Sequence, residues 1–386
     1  MHRSRKKRRI AVLTTSRADS GHLQWIVNDL SRDPRVELDL IAIGAHLSPE
    51  FGRTVDAISS RQFRPTTDIE CLLSSDSDIG MAKTIGVATL GLADHLGKSR
   101  PDLLLLTADR YEMLAAACAA LALRIPMAHI EGGEISEGAI DDAVRNAITK
   151  MSHIHFACTQ KARQRVIAMG EEEWRVHFTG SPSIDQLRRN KLLGLQQLQR
   201  KLRFPVPAGT LAVVYHPVTL LQDTTRESAA LFTALSSVKS PLIFMYPNAD
   251  AGSRKLIERA QRFVSEHPDS RLLVNFDHVT YLSLLARVSA LIGNSSSGII
   301  EAAALGLPVV NIGLRQKGRE HAKNVLDVEA SPSAILEATC TATSISFRRS
   351  LRRLDNPYGD GHASKTIAHL LATVPLGDRL LFKRSS

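Results

Sequence analysis

Short apolar runs alternate with amphipathic stretches along most of the chain. Each run is continuous in its hydrophobicity and ends at a polar or glycine-containing loop, which predicts parallel strands that are buried on both faces by helices. Stretches 22–30 and 111–123 have the helical pattern. The runs of the first half are 10–14, 38–44, 103–107, 125–130, 153–157 and 176–180. Those of the second half are 211–215, 242–246, 272–276, 290–293, 309–313 and 325–328.

A polar stretch at 186–207 separates the two halves and ends in FPVPAG, which predicts a helix followed by a linker. The domain boundary therefore falls near 190–208. We predict an α/β protein with two Rossmann-like domains, 10–190 and 208–355, that face a central cleft, where ligands bind beyond the carboxyl ends of the strands. Residues 356–386 form a turn and a C-terminal helix that can cross back onto the first domain.

Composition narrows the functional classes. The chain is 44% hydrophobic and 23% charged, which is typical of a soluble globular protein, and its 5% aromatic content argues against a stacking surface for single-stranded nucleic acid. Six of the ten net positive charges lie within residues 1–9. We interpret these residues as a disordered basic tail, and favour a solvated tail over binding to nucleic acid or membrane. The rest of the chain has a net charge of +4, which suits a ligand that carries a diphosphate.

Neither a signal peptide nor a membrane span is predicted. The apolar run after the basic tail covers only 10–13, and the longest candidate, 114–123, is interrupted by Arg124. We therefore expect a cytoplasmic protein without membrane contact. Its four cysteines contain no CxxC pair, so no metal site is expected, and Cys118 and Cys158 are interpreted as small core residues.

The candidate catalytic residues follow strands of the first domain. Asp109 comes directly after the apolar run LLLLT and Ala108, and Glu131 directly after MAHI. Asp141 and Asp142 come ten residues later, followed by Arg145. Crowded carboxylates shift one another's pKa values, so such a group can supply both a base and an acid near neutral pH. The loop 14–21 adds Arg17 near a predicted helix start, which suits an anion as well as it suits a simple helix cap.

Polar residues also follow strands of the second domain. His216 follows the run 211–215, and the run 290–293 leads into Asn-Ser-Ser-Ser-Gly and a helix that contains Glu301. Hydroxyls and free N–H groups at a helix start can hold phosphate, and a carboxylate can accept from both ribose hydroxyls, although an ordinary helix cap would also explain the serines. No GxGxxG or Walker lysine loop occurs, which argues against dinucleotide binding and nucleoside triphosphate hydrolysis.

These residues together resemble the hydrolysing UDP-N-acetylglucosamine 2-epimerases of sialic-acid pathways. The resemblance covers nearly the whole chain and lies in SRAD, GAHLSPEFGRT, ADRYE, HIEGGE, IDDAVRNAITKMSH, GSPSID, HPVT, YPNADAGS, IGNSSSGIIEAAALGLPVVNIGLRQKGR and NPYGDG. It implies a fold of the glycosyltransferase-B type. It also implies elimination of UDP to a 2-acetamidoglycal and hydration to free N-acetylmannosamine, without a cofactor or metal, in a homodimer or homotetramer.

The resemblance also implies the site residues. Asp109, Glu131 and Asp141 match the family's catalytic acids, and His216 matches a catalytic histidine near the diphosphate; which acid removes the C2 proton and which returns it stays open. The implied ligands of the UDP-linked substrate are Arg17, Arg110, Arg145, His278, Ser295, Ser296, Glu301 and Arg315.

Departures from the family pattern leave alternatives for the substrate. The SEGAIDD segment is one residue longer than in some relatives, so Asp142 competes with Asp141. His22 replaces a lysine of some relatives, and Asn146 a histidine of many. These positions point to a UDP- or GDP-linked 2,4-diacetamido-2,4,6-trideoxyhexose as the alternative to UDP-N-acetylglucosamine. A non-hydrolysing epimerase is the other alternative, but SRAD and NSSSG stand where that branch has GTRPE and a DSGG-type loop.

Overall fold

The computed structural model describes residues 7–50, 53–55, 65–73, 75, 77–247, 250–274 and 277–384. The side chains of Arg17 and Ala18 also lie outside this description. Parts of the segments GAHLSPEFGRT and YPNADAGS, and the predicted strand end at Asn275 and Phe276, fall in the gaps.

The first domain is built on a parallel sheet of seven strands in the order β3-β2-β1-β4-β5-β6-β7. Its strands are β1 Arg8–Thr14, β2 Val36–Ile43, β3 Thr67–Ile69, β4 Leu103–Thr107, β5 Met127–Ile130, β6 Ile154–Ala157 and β7 Val176–Phe178. Strands β4, β5 and β6 are buried along their whole length, because helices cover both faces of the sheet. The helices are α1 Arg17–Ser31, α2 Asp78–Ser99, α3 Tyr111–Ala122, α4 Asp141–Met151, α5 Gln160–Ala168 and α6 Pro182–Arg189, with short 3-10 turns at Gly44–His46 and Glu173–Arg175.

The second domain repeats this arrangement with six parallel strands in the order β10-β9-β8-β11-β12-β13. Its strands are β8 Leu211–Val214, β9 Leu242–Met245, β10 Arg271–Leu273, β11 Ala290–Gly293, β12 Val309–Ile312 and β13 Val325–Val328. The helices that precede, surround and follow this sheet are α7 Leu195–Leu202, α8 Ser228–Leu235, α9 Ser253–Glu266, α10 His278–Leu285, α11 Ser296–Ile299, α12 Glu301–Ala304, α13 Pro332–Thr343, α14 Ile345–Ser350, α15 Ala363–Thr373 and α16 Asp378–Leu381. A 3-10 turn covers Leu351–Arg353. The predicted α/β class with two Rossmann-like domains is confirmed.

Three details differ from the sequence-based expectations. Strand β1 begins at Arg8, so Arg8 and Arg9, assigned to the tail 1–9, pair with Val36 and Glu37 of β2. The stretch between the domains contains two helices, α6 and α7, instead of one. Cys118, expected in the core, is exposed on α3, because it lies on the helix face turned away from the sheet.

The C-terminal segment packs on the first domain. The carboxylate of Asp185 accepts hydrogen bonds from the backbone N–H groups of Ala363 and Ser364, at 3.1 and 2.8 Å, and so satisfies the first turn of α15. The buried Arg175 donates to the carbonyls of Leu380 at 2.8 Å and of Phe382 at 3.0 Å. Within the described part of the chain, no helix is long and apolar enough to cross a membrane.

Candidate active site

The site forms where β4 and β5 lie side by side in the first sheet. Thr107 pairs with Ile130, so both strands end at the same edge. Glu131 follows β5 directly, and Asp109 follows β4 after Ala108. Ala108 and Glu131 have φ angles of 59° and 71°, in the left-handed region that a side chain with a Cβ seldom adopts. Such strained positions cluster at functional sites, and here both turn the chain at the strand ends.

Glu131 is buried between two cations. His22 Nδ1 of α1 lies 3.0 Å from Glu131 Oε1, and Arg319 Nη2 of the second domain lies 3.7 Å from Glu131 Oε2. Burial opposes the charge of Glu131, but His22 and Arg319 outweigh it and lower the pKa of this carboxyl to about 2. Burial likewise opposes protonation of His22, but Glu131 raises the pKa of the imidazole to about 9. The pair is therefore ionised at neutral pH.

Asp109 is held by a buried arginine. Arg145 of α4 forms an ion pair with Asp109 through Nη2, and its side chain is completely buried. The same guanidinium donates to Ser136 Oγ at 2.7 Å and to the carbonyl of Glu134 at 2.9 Å. These contacts fix the orientation of the Asp109 carboxylate. Contact of Arg145 with a nucleotide stays a prediction.

Asp141 and Asp142 differ in their surroundings, although both begin α4. Asp142 Oδ1 accepts from the backbone N–H of Ser136 at 2.8 Å, and its Oδ2 accepts from Asn146 Nδ2 at 3.2 Å. Asp141 instead faces the second domain, where Arg315 Nη2 lies 3.4 Å from its Oδ2. Burial and the neighbouring Asp109 charge raise the pKa of Asp141 to about 7. Asp142 is thus engaged within its own loop and helix, whereas Asp141 faces the cleft.

In the second domain, hydrogen bonds join the residues that follow β8 and β11. The backbone N–H of His216 donates to Asn294 Oδ1 at 2.7 Å, and Asn294 Nδ2 donates to the carbonyl of His216 at 2.9 Å. Gly293 has a φ of 146°, and a Cβ there would lie 1.9 Å from the carbonyl oxygen of Val214, so only glycine fits. This arrangement presents His216 and the serine loop on one edge.

The serine loop begins α11. Ser295 caps this helix and its Oγ lies 3.0 Å from Ser297 Oγ, which also contacts the hydroxyl of Tyr281. Ser296 is half-buried. Glu301 is buried, which raises its pKa, and the charge of His22 partly opposes this effect. The predicted ribose ligand therefore faces the same histidine that pairs with Glu131.

Three other predicted ligands, Arg110, His278 and Arg17, lie on different elements of the fold. The Arg110 guanidinium donates to Asp250 Oδ1 of the second domain at 2.6 Å and to Glu112 Oε1 at 3.3 Å, so it links the two domains. The ring of His278 lies against Gly21, where an added Cβ would approach its Nδ1 to 2.8 Å. Arg17 begins α1, and its side chain lies outside the described part. Contact of these three residues with the nucleotide stays a prediction.

The structure adds residues that sequence reasoning did not single out. Asp250 receives Arg110, and Arg319 lies between Glu131 and Glu134, with Arg319 Nε 3.4 Å from Glu134 Oε2. Tyr358 Oη lies 2.9 Å from the same Glu134 oxygen. The signal for Arg319 and Tyr358 was their place in the motifs GLRQKGR and NPYGDG. Among the described residues, no group of three His, Cys, Asp or Glu side chains is arranged to hold a metal ion.

Comparison with known proteins agrees with this arrangement. The family model described as UDP-N-acetylglucosamine 2-epimerase matches residues 28–372. The UDP-N,N'-diacetylbacillosamine 2-epimerase (hydrolyzing) of Legionella pneumophila is 35% identical over 97% of this chain and 98% of its own. The GDP/UDP-N,N'-diacetylbacillosamine 2-epimerase (hydrolyzing) of Campylobacter jejuni is 36% identical over 84% of this chain and 85% of its own.

A solved structure shows the same fold at lower sequence identity. The UDP-GlcNAc 2-epimerase of Neisseria meningitidis bound to UDP-GlcNAc superimposes with a TM-score of 0.79 and 18% identity, over 94% of this chain and 99% of the other. The expected resemblance to hydrolysing epimerases is confirmed by the matched family and the two hydrolysing relatives. The chain belongs to the UDP-N-acetylglucosamine 2-epimerase family.

Proposed function

We propose that this enzyme is a hydrolysing 2-epimerase acting on a UDP-linked 2,4-diacetamido-2,4,6-trideoxyhexose. The reaction type is carried by one observation: Asp109, Glu131 and Asp141 meet at one edge of the cleft, where cations of the second domain face two of them. A sugar-nucleotide transferase of the same fold has no need for three acids there.

The proposed reaction has two steps. In the first, a carboxylate removes the C2 proton, the C2–H electrons form the C1–C2 double bond, and the C1–O bond breaks with release of UDP. In the second, water adds its oxygen to C1 and gives up one proton to a carboxylate or to solvent, and a proton is delivered to C2 on the face opposite to the one from which it was removed. Because C2–H has no adjacent carbonyl, its acidity depends on the positive charge that builds at C1 as UDP departs.

Glu131 and Asp141 are suited to opposite roles in the reaction. The pKa of Glu131 is lowered to about 2, so it is ionised, while burial raises the pKa of Asp141 to about 7, so it retains a proton for part of the time at neutral pH. Carboxyls whose pKa values are pushed apart provide a base and an acid in the same site. We assign proton removal to Glu131 and proton donation to Asp141, with Arg145 orienting Asp109.

The departing diphosphate needs stabilisation from the second domain. Arg315 donates to the carbonyl of Asn294 at 3.1 Å, which places its guanidinium beside the loop that carries Ser295 and Ser296. His216 lies at the end of the adjacent strand. We propose that these four residues bind the phosphates and that Glu301 accepts from the ribose hydroxyls.

The choice of sugar is supported by two relatives. The relatives from Legionella and Campylobacter, at 35% and 36% identity, are both named for diacetylbacillosamine. His22 pairs directly with Glu131, and Asn146 hydrogen-bonds Asp142, the residue next to Asp141, so both departures from the family pattern lie close to the proposed acids. UDP-N-acetylglucosamine, with free N-acetylmannosamine as product, is the second candidate substrate.

A proton NMR time course in deuterium oxide tests reaction and substrate together. The enzyme is given either UDP-2,4-diacetamido-2,4,6-trideoxyglucose or UDP-N-acetylglucosamine. We expect free sugar, UDP and deuterium at C2, with the larger kcat/KM for the diacetamido sugar. A nucleotide-linked product, or a C2 position without deuterium, contradicts the mechanism; a larger kcat/KM for UDP-N-acetylglucosamine reverses the substrate assignment.

We further propose that two copies associate through α2. One face of this helix is exposed along its length and carries Ile79, Val87 and Leu90, which are 63%, 40% and 72% exposed. Leu121 of α3, the helix that packs against α2, is 53% exposed. Exposed apolar stripes of this kind mark association surfaces.

The charges of α2 support a two-fold pairing. Lys83 and Asp94 lie on the same face as Val87 and Leu90, and in the described part of the chain neither has an ion-pair partner. If two copies of α2 cross antiparallel at a midpoint between residues 88 and 89, Lys83 of each copy meets Asp94 of the other, and Val87 meets Leu90. A self-complementary pattern of this kind is what an isologous dimer requires.

A further inference from the structure

Two glutamates that lie three residues apart are buried together beside β5. Glu131 is 3% exposed and Glu134 is 2% exposed. Burial raises the pKa of Glu134, while the nearby Arg319 opposes this effect. Two carboxylates in one buried space repel each other, so their charge depends on the cations that they share.

Arg319 is the cation that both glutamates share. It comes from the second domain, and its guanidinium is nearly buried, with Nε 3.4 Å from Glu134 Oε2 and Nη2 3.7 Å from Glu131 Oε2. Its Nη1 donates to Gln316 Oε1 at 3.2 Å, which fixes the direction of the side chain. Because one guanidinium serves both acids, a closer contact with Glu134 weakens its contact with Glu131.

Tyr358 lies on the other side of Glu134. Its hydroxyl is 2.9 Å from Glu134 Oε2 and 2.8 Å from the carbonyl of Glu320, the residue that follows Arg319. Its ring is completely buried, and its carbonyl accepts from the backbone N–H of Ser181 at 2.8 Å. The residue is therefore fixed to the first domain, while its hydroxyl reaches both Glu134 and the second domain.

We propose that Arg319 and Tyr358 are positioning residues that hold the Glu131 carboxylate in place and stabilise its charge. The hydroxyl of Tyr358 supplies Glu134 with a hydrogen-bond partner, which leaves the Arg319 guanidinium shared with Glu131. Without that hydroxyl, Glu134 draws the guanidinium to itself. The importance for turnover rests on the function proposed above; the effect on the charge of Glu131 does not.

Several other titratable groups around Glu131 also affect its charge. His22 on α1 is its direct partner, and the other titratable groups that act on it or respond to it are Glu134, Arg145, Cys158, Glu301 and Arg319. Of these, only Arg319 and Glu134 contact Tyr358. Substitution of Tyr358 therefore affects Glu131 through Arg319 and Glu134.

Two substitutions are expected to raise the pH at which Glu131 takes up a proton, and a third is expected to lower it. Arg319→Gln removes the shared cation and Tyr358→Phe removes the hydroxyl alone, so both raise the pH at which Glu131 takes up a proton, by about one unit or more for Arg319→Gln. Glu134→Gln removes the competing carboxylate and lowers that pH. Arg319→Lys retains the charge and restores part of the effect. Arg163→Gln is the matched control, because its partner Glu173 lies outside the cleft.

The test uses carbon-13 NMR titration of the glutamate carboxyls in the full chain without substrate. The Glu131 signal is assigned by its loss in Glu131→Gln. The proposal is overturned if Tyr358→Phe and Arg319→Gln, each with wild-type thermal melting, titrate Glu131 as the wild type does. If Arg319→Gln does not fold, Tyr358→Phe and Arg319→Lys decide.

The same variants are then compared in UDP release. We expect Tyr358→Phe to lower kcat about tenfold with little change in KM, because loss of the hydroxyl shifts Arg319 and with it the position of the Glu131 carboxylate, while the residues proposed to bind the nucleotide are unaffected. If the titration shifts but the wild type releases no UDP from either sugar nucleotide, the proposed function fails and the positioning stands. If the wild type turns over and the titration does not shift, the positioning fails alone.

Discussion

Arg315 Nη2 lies 3.4 Å from Asp141 Oδ2, so a guanidinium of the second domain faces a carboxyl group of the first across the cleft. Asp141 nevertheless has a pKa raised to about 7, because burial and the Asp109 charge outweigh the arginine. The contact between the domains therefore leaves a carboxyl group that titrates close to physiological pH, which is a requirement for a proton donor.

Asp141→Asn should stabilise the fold while it abolishes turnover. The folded pKa of about 7 exceeds the ordinary aspartate value of 3.8, so the folded state binds more protons between these values, and stability falls as the pH rises from about 4 to 7. Removing the carboxylate relieves this cost. We expect a gain of about 1–3 kcal/mol at pH 8 and less at pH 5, measured by thermal unfolding.

Asp142→Asn is the comparison for this prediction. Asp142 accepts from the Ser136 N–H and from Asn146 Nδ2, so its replacement should lower stability by about 1 kcal/mol at both pH values. Equal effects of the two substitutions would contradict the distinction between Asp141 and Asp142.

Glu131→Gln should abolish turnover and preserve nucleotide binding. Glu131 lies beside His22 and Arg319 at the end of β5, whereas the residues proposed to bind the phosphates and the ribose lie on the second domain. Loss of the base should lower kcat by about a hundredfold or more, while the Kd for UDP measured by calorimetry changes little. A fully active variant would remove Glu131 from the proposed chemistry.

Much of the architecture could be predicted because it depends on local patterns. Continuous apolar runs such as 103–107 and 125–130 predict buried parallel strands, and residues that follow such strands must lie at the same sheet edge. The juxtaposition of Asp109 and Glu131 is a consequence of strand order alone. Strand β1 was predicted too short, because Arg8 and Arg9, which extend it at its N-terminal end, are charged and do not continue the apolar run.

The contacts between the domains could not be predicted in this way. Tyr358 and Glu134 are 224 positions apart, and neither periodicity nor composition relates them. Arg110 was assigned to the nucleotide, and its contact with Asp250 depends on how the second domain docks. The choice between Asp141 and Asp142 likewise depends on the three-dimensional structure, because both begin the same helix and only their side-chain directions separate them.

Gly133→Ala should destabilise the first domain more than Gly132→Ala. Gly133 has a φ of 80°, and an added Cβ would lie 2.2 Å from the carbonyl oxygen of Ala162, which the backbone cannot easily relieve. At Gly132 the close atom is the hydroxyl of Thr149, which can rotate away. We expect a loss of about 2–4 kcal/mol for Gly133→Ala and about 1 kcal/mol for Gly132→Ala in denaturant unfolding.

The proposed association through α2 predicts a charge-reversal rescue. Lys83→Asp or Asp94→Lys alone would place like charges opposite each other in an antiparallel pair, twice over because of the two-fold axis, and should weaken the dimer about tenfold or more. The double variant restores opposite charges and should recover most of the affinity. Sedimentation equilibrium measures the dissociation constant. Arg163→Gln, on a surface away from α2, should leave it unchanged. If the double variant stays as weak as the single ones, or if no substitution on this face has an effect, the chain does not pair in this manner.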